Sequence, residues 1–125
     1  MLFRTERHEQ IFEDLSMKLE ANGYRQDDET RPVLYLVALL CSETGRNVAD
    51  QMFDFAERKI KPEVMAAYWQ TGSSLKLCRL AFSLWNGYPG AEDPSLCNPY
   101  WIFGNEWDLY FLEAIKLRFP HTCEE

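Results

Sequence analysis

The sequence predicts an all-α fold, and three features carry that expectation. Apolar residues recur at three- and four-residue steps along residues 6–21, 73–86 and 106–119. These stretches are bracketed by residues that start or stop helices: Thr5 and Asn22-Gly23, Ser73 or Ser74 and Gly87, Asn105 and Pro120. A further run, Val33 to Cys41, is apolar nearly all round. That suits a helix at the centre of a bundle, with a buried strand as the other reading. The expected architecture is therefore a compact bundle of about four main helices plus short helical turns, arranged around residues 73–86. A small β-hairpin near residues 53–61 is the one departure the pattern allows, because Phe53 and Phe55 alternate with Asp54.

Taken in order, the first helix runs from Glu6 to about Ala21. It buries Ile11, Phe12, Leu15 and Leu19 and turns Glu9, Glu13, Lys18 and Glu20 outward. His8 reads as a solvated surface residue beside Glu9. Asp27-Asp28-Glu29 precedes the second helix, which Thr30 or Asp28 caps, with Pro32 in its first turn. Asn47 caps a short helix from Val48, and Pro62 opens another helical start. In residues 73–86, Leu75, Cys78, Ala81, Phe82 and Trp85 share a face that Leu77, Leu80 and Leu84 widen. Residues 88–94 form a loop dense in turn formers. Residues 99–104 read as an aromatic turn, and Asn105 caps a last helix over 106–119. Its buried face is Trp107, Tyr110, Phe111, Ala114, Ile115 and Arg118. The tail, 121–125, is expected to fray.

With 125 residues the chain reads as one domain, 1–125, able to bury a core without disulfides or metal. No apolar run approaches the roughly 20 residues that span a bilayer. The charged start, Met1 to Glu13, does not read as a signal peptide. A cytoplasmic location is expected, with Cys41, Cys78, Cys97 and Cys123 as reduced thiols. The net charge of −7 is uneven: residues 1–29 carry eight acids against four bases, and residues 92–125 seven against two. The middle carries five acids against seven bases. This balance disfavours direct binding to nucleic-acid phosphates.

Motifs for chemistry are few. The sequence has no Gly-rich phosphate loop, GxSxG elbow, HExxH or CxxC pair. His121 and Cys123 would give a metal two ligands where structural zinc takes four. No catalytic residue, metal ligand or cofactor site is expected. Asp54 and Asn86 read as residues that bridge local backbone groups. Aromatics are the suggestive group: eight Phe, six Tyr and four Trp. Trp85 and Trp107 fit the core. Tyr88, Tyr100 and Trp101 lie in or beside loops, where an exposed aromatic set marks a binding surface.

The segments Met52-Phe53-Asp54-Phe55, Ile60-Lys61-Pro62-Glu63, Trp69 to Lys76, Arg79-Leu80-Ala81-Phe82, Trp85-Asn86-Gly87-Tyr88 and Glu113 to Phe119 carry a resemblance. Over roughly residues 3–120 the chain resembles a domain-of-unknown-function family of small proteins from Gram-positive bacteria and their mobile elements. The resemblance implies a compact, mainly helical domain and no known activity.

The expected function is a non-catalytic protein-interaction module, with Asp27, Asp28, Glu29, Tyr88, Tyr100 and Trp101 as candidate contact residues. The mobile-element association suggests one version, an inhibitor of a host defence system whose acidic surface imitates nucleic acid. Two alternatives stand beside it: an enzyme of unrecognised type, and a nucleic-acid binder using Arg58, Lys59, Lys61, Lys76 and Arg79 in the segment 58–79. The partner is expected to be another protein, with no membrane involved, and homodimerisation is left open.

Overall fold

A computed structural model describes residues 1–87 and 94–121. Four long helices dominate: α1 (Glu6–Ala21), α2 (Thr30–Thr44), α4 (Gly72–Asn86) and α6 (Asp108–Arg118). Two short ones, α3 (Ala49–Met52) and α5 (Pro99–Ile102), lie between them, with 3₁₀ turns at Pro62–Ala66 and Pro94–Cys97. The fold is helical, as the periodicity predicts. The hairpin exists as well, with β1 (Phe53–Asp54) antiparallel to β2 (Lys59–Ile60) and Phe53 opposite Ile60. Its turn is held by Asp54, whose carboxylate accepts the Glu57 N–H at 2.9 Å. The side chain of Asn86, expected in a similar role, lies outside the described residues.

The centre of the molecule is α2, a correction to the expectation that residues 73–86 organise it. Every residue from Pro32 to Cys41 is buried. α1, α4 and α6 each pack against α2. Full burial explains why its sequence shows no polar stripe: a helix ringed by neighbours has no face left for water. Its ends must still be satisfied. At the C-terminus Gly45 adopts φ 69° and its N–H reaches the Cys41 carbonyl at 3.0 Å. At the N-terminus the capping residue is Asp27, not Thr30 or Asp28. Asp27 Oδ1 accepts the Glu29 and Thr30 N–H groups at 3.0 and 2.8 Å, and the Thr30 hydroxyl accepts the Asp27 N–H at 2.9 Å.

α4 begins earlier than its serines suggest. Thr71 caps it by accepting the Ser74 N–H at 3.2 Å, while Ser74 Oγ accepts the Thr71 N–H at 2.7 Å. This is a reciprocal capping box in which Ser74 takes the third helical position. Gly87 ends the helix at φ 75°. α6 starts later than expected, because Asn105 accepts the Trp107 N–H at 2.9 Å and so caps a preceding turn. The Asp108 carboxylate takes the Gly104 N–H at 2.9 Å.

His8 is the clearest departure from the sequence reading. It is not a solvated surface residue: its relative exposure is 0%. Its Nδ1 accepts the Arg4 N–H at 3.1 Å, which leaves the proton on Nε2 to be donated to the Tyr35 carbonyl at 3.0 Å. Phe3 packs edge-on to the ring at 5.1 Å. The Tyr35 hydroxyl in turn donates to the Leu2 carbonyl at 2.6 Å. Residues 2–4 thus form a strap over α1 and α2. Arg4 continues it by pairing with Glu43 at 2.7 Å, and Glu43 also accepts the Trp107 indole N–H at 3.2 Å.

A second latch holds the hairpin. Arg58 sits at φ 53°, the left-handed region in which any Cβ crowds the following carbonyl oxygen. Its guanidinium donates to Asp27 Oδ2 at 2.5 Å and lies 4.9 Å from the Trp85 ring centre. One side chain therefore joins the hairpin turn to the start of α2 and to the last turn of α4.

Two expectations follow. Burial holds the His8 imidazole below its ordinary value of about 6.5, outweighing the opposing hydrogen bond to Tyr35 and the Glu43 charge. The unfolded chain then takes up a proton that the folded chain refuses. The His8 contribution is complete above pH about 6.5 and is lost as pH falls toward the folded value. Melting curves between about pH 7.5 and 5 should show a drop in stability that His8→Gln lacks, with His8→Gln about 2 kcal/mol less stable at neutral pH. Parallel slopes for the two proteins would contradict this. At Arg58, Ala keeps the strained backbone and loses both contacts, whereas Gly loses the contacts and relieves the strain. Arg58→Gly should be about 1 kcal/mol more stable than Arg58→Ala in urea melts, with both below the parent.

Candidate functional site

The candidate contact residues fall on separate parts of the fold. Asp27 is committed internally: Oδ1 caps α2 and Oδ2 binds Arg58. Burial raises its pKa, but the Thr30 N–H and hydroxyl, Arg58 and the Glu29 N–H together outweigh it and hold the carboxyl below its ordinary range. Asp28 is exposed and has Arg31 at 3.9 Å. Glu29 is half-buried, with its N–H given to Asp27. The acidic run is therefore one structural cap, Asp27, followed by the exposed Asp28 and the half-buried Glu29.

Tyr100 and Trp101 are both exposed, at 80% and 47%, and meet edge-to-face at 5.0 Å. They ride on α5, which packs on α4 and on the 3₁₀ turn before it. Asn98 fixes that short helix by accepting the Trp101 N–H at 3.3 Å. Tyr88 lies outside the described residues.

A larger surface was not legible as a site in the sequence. α6 buries Phe111 and Ala114 against the core, but Leu109 and Leu112 point outward at 57% and 49% exposure. With Lys116 and then Phe119, just past the helix end and 46% exposed, they recur at three, four and three residues along one face. The N-terminal strap extends this face. The Leu2 N–H donates to Glu113 Oε2 at 2.9 Å, which sets the exposed Met1 and Leu2 beside α6. Acids flank it: Glu113 itself, Asp108, and Glu106, which has Arg4 at 4.0 Å. The signal that could have revealed the face is a second apolar stripe on a helix that already has one.

In the basic segment 58–79, Arg58 and Lys61 are engaged within the fold. Arg58 serves Asp27, and Lys61 donates to the Asp50 carbonyl at 2.8 Å. The Cys41 and Cys78 thiols and the His8 imidazole are likewise built into the core. Burial pushes the Cys78 thiol up to about 12, with Gln70 and Arg79 acting in the opposite direction. Cys41 is also raised by burial, partly offset by the N–H groups of Val48 and Ala49 and by the Arg7 charge. Both ring nitrogens of His8 are used within the fold. Among the described residues, no three His, Cys, Asp or Glu side chains converge on a metal-sized site, and no helix is long and apolar enough to cross a membrane.

Taken together, these features define a small acidic helical protein wrapped around a central helix buried from Pro32 to Cys41, with apolar side chains on its outer helices. The model of a family of unknown function, DUF6075, matches residues 1–125, and the chain belongs to that family. No curated protein and no solved structure matches it.

The division of labour within the acidic run is testable. Asp27→Ala should cost about 1–2 kcal/mol in urea denaturation, because it removes a cap. Asp28→Ala should stay within about 0.5 kcal/mol of the parent. Equal effects would show that Asp27 does not cap α2.

Proposed function

We propose that this protein is a non-catalytic interaction module that binds another protein through the outward face of α6. The observation that carries the reading is the set Leu109, Leu112 and Phe119 on one face, continued by Met1 and Leu2. Exposing large aliphatic and aromatic groups side by side costs solubility unless a partner covers them. The flanking Glu106, Asp108 and Glu113 favour a partner whose apolar contact is bordered by Lys or Arg, and so does the net charge of −7. An amphipathic basic helix has that chemistry. Tyr100 and Trp101 supply a second aromatic contact. A nucleic-acid-binding protein also presents a basic surface. An inhibitor of a host defence nuclease, encoded on a mobile element, is one specific form of this proposal. In that form Asp28 and Glu29 act as the phosphate mimic, and binding weakens steeply with salt.

Affinity purification of the tagged chain from cells that encode it separates these forms. The α6 reading expects a stoichiometric partner that Leu109→Asp with Leu112→Asp loses and that Asp28→Lys with Glu29→Lys retains. The mimic form expects the reverse, with release at high salt. Unchanged melting curves for each variant confirm that the fold is intact. A chain that purifies alone at low and high salt overturns the interaction reading.

A further inference from the structure

The face of α1 opposite the end of α2 holds a cleft of about 290 Å³. Arg7, Ile11, Asp14 and Leu15 line it from α1, Cys41 lies across from them, and Arg46 stands in the turn after α2. A second, more open hollow shares Arg7, Ile11 and Asp14, adds Glu6 and Gln10, and continues the cleft along α1.

The floor and the walls differ in chemistry. Leu15 and Cys41 are buried, at 7% and 5% exposure, and Ile11 is half-buried beside them. The floor is therefore apolar. The walls are charged and exposed: two guanidinium groups against one carboxylate, a net of one positive charge in a chain of net −7. Arg46 rests its guanidinium 5.8 Å from the Tyr68 ring centre and within 3.4 Å of the phenol oxygen, which leaves most of its donors open. Asp14 has one oxygen occupied by Gln10 at 3.0 Å. Arg7 makes no ion pair among the described residues. Arg7 lines the cleft from α1, on the side facing Cys41.

We propose that this cleft binds a small aliphatic monocarboxylate. Its carboxylate is held between Arg7 and Arg46, and its short apolar tail lies on Ile11, Leu15 and the Cys41 sulfur. Guanidinium groups suit a carboxylate because their paired N–H donors match its two oxygens. Within the inner cleft, Arg7 and Arg46 against Asp14 leave one positive charge to meet the carboxylate. Asp14 and the carbonyl end of α2, the negative pole of that helix, repel any anion, and they repel a dianion such as phosphate about twice as strongly as a monocarboxylate. A neutral apolar molecule would leave both arginines unanswered. The volume sits at the lower end of ligand pockets, which run from about 300 Å³ upward, and suits a small molecule.

The probe is isovalerate, titrated into the isotope-labelled full chain and followed by amide chemical shifts. Saturable shifts are expected at Arg7, Ile11, Arg46 and Asn47. Isovaleramide has the same shape without the charge and should produce none. Acetate, with the charge and almost no tail, should bind more weakly. Arg7→Gln and Arg46→Gln should each weaken isovalerate by about tenfold or more while melting at the parent temperature. Occupancy should also slow alkylation of Cys41, read by peptide mass mapping. The proposal is overturned if isovalerate gives no saturable shift, if acetate or phosphate binds as well as isovalerate, or if both Gln variants bind like the parent.

Discussion

The burial of α2 on every side is the constraint from which the rest of the structure follows. A helix whose ten residues from Pro32 to Cys41 all leave water must be ringed, so α1, α4 and α6 have their positions set by it. Such a helix cannot rely on solvent to satisfy its ends, and side chains do so instead. Asp27 and Thr30 close the N-terminal end, and Gly45 turns the chain away at the other. Truncating any of its fully buried leucines would leave a cavity with neighbours on all sides, the situation in which such losses reach about 2–5 kcal/mol.

The polar groups inside the fold are arranged around that same helix. His8 answers a carbonyl of α2, and the Tyr35 hydroxyl leaves α2 to hold the strap at Leu2. Arg4 and Glu43 then tie the strap to the far end of α2 and, through Trp107, to α6. Among the described residues no buried side-chain nitrogen or oxygen lacks a partner. A satisfied buried network of this kind gives more to the uniqueness of the packing than to its net stability.

Much of this was legible in the sequence wherever a local rule decides the outcome. The Thr5 cap, the left-handed Gly87, the alternation that makes the hairpin and the continuous apolar run of α2 all follow from residue chemistry over a few positions. What was not legible depends on tertiary partners. His8 sits on a helix beside acids and looks solvated, and only the strap at residues 2–4 encloses it. Thr71 outcompetes Ser73 and Ser74 as a cap because Ser74 is needed three positions later to complete the box. The site was the least legible part. α6 carries two apolar stripes, one inward through Phe111 and Ala114 and one outward through Leu109 and Leu112. Periodicity singles out the inward stripe, and the outward leucines, interspersed with Asp108, Glu113 and Lys116, do not stand out as a face.

The outward face of α6 also depends on the fold in a way that a linear motif does not. Its two contributors come from opposite ends of the chain, joined by the Leu2 to Glu113 hydrogen bond across 111 positions. An isolated helix of 11 residues is marginal in water, so α6 cut from the protein would hold neither its shape nor its neighbours Met1 and Leu2. The strap that completes the face is the same one that covers His8, through Phe3 and the Arg4 N–H. Protonation of His8 removes the acceptor for that N–H, since both ring nitrogens then donate. Loosening the strap would withdraw Met1 and Leu2 from the face before α6 itself moves. The exposed face of α6 and the electrostatics at His8 are thus linked through residues 2–4.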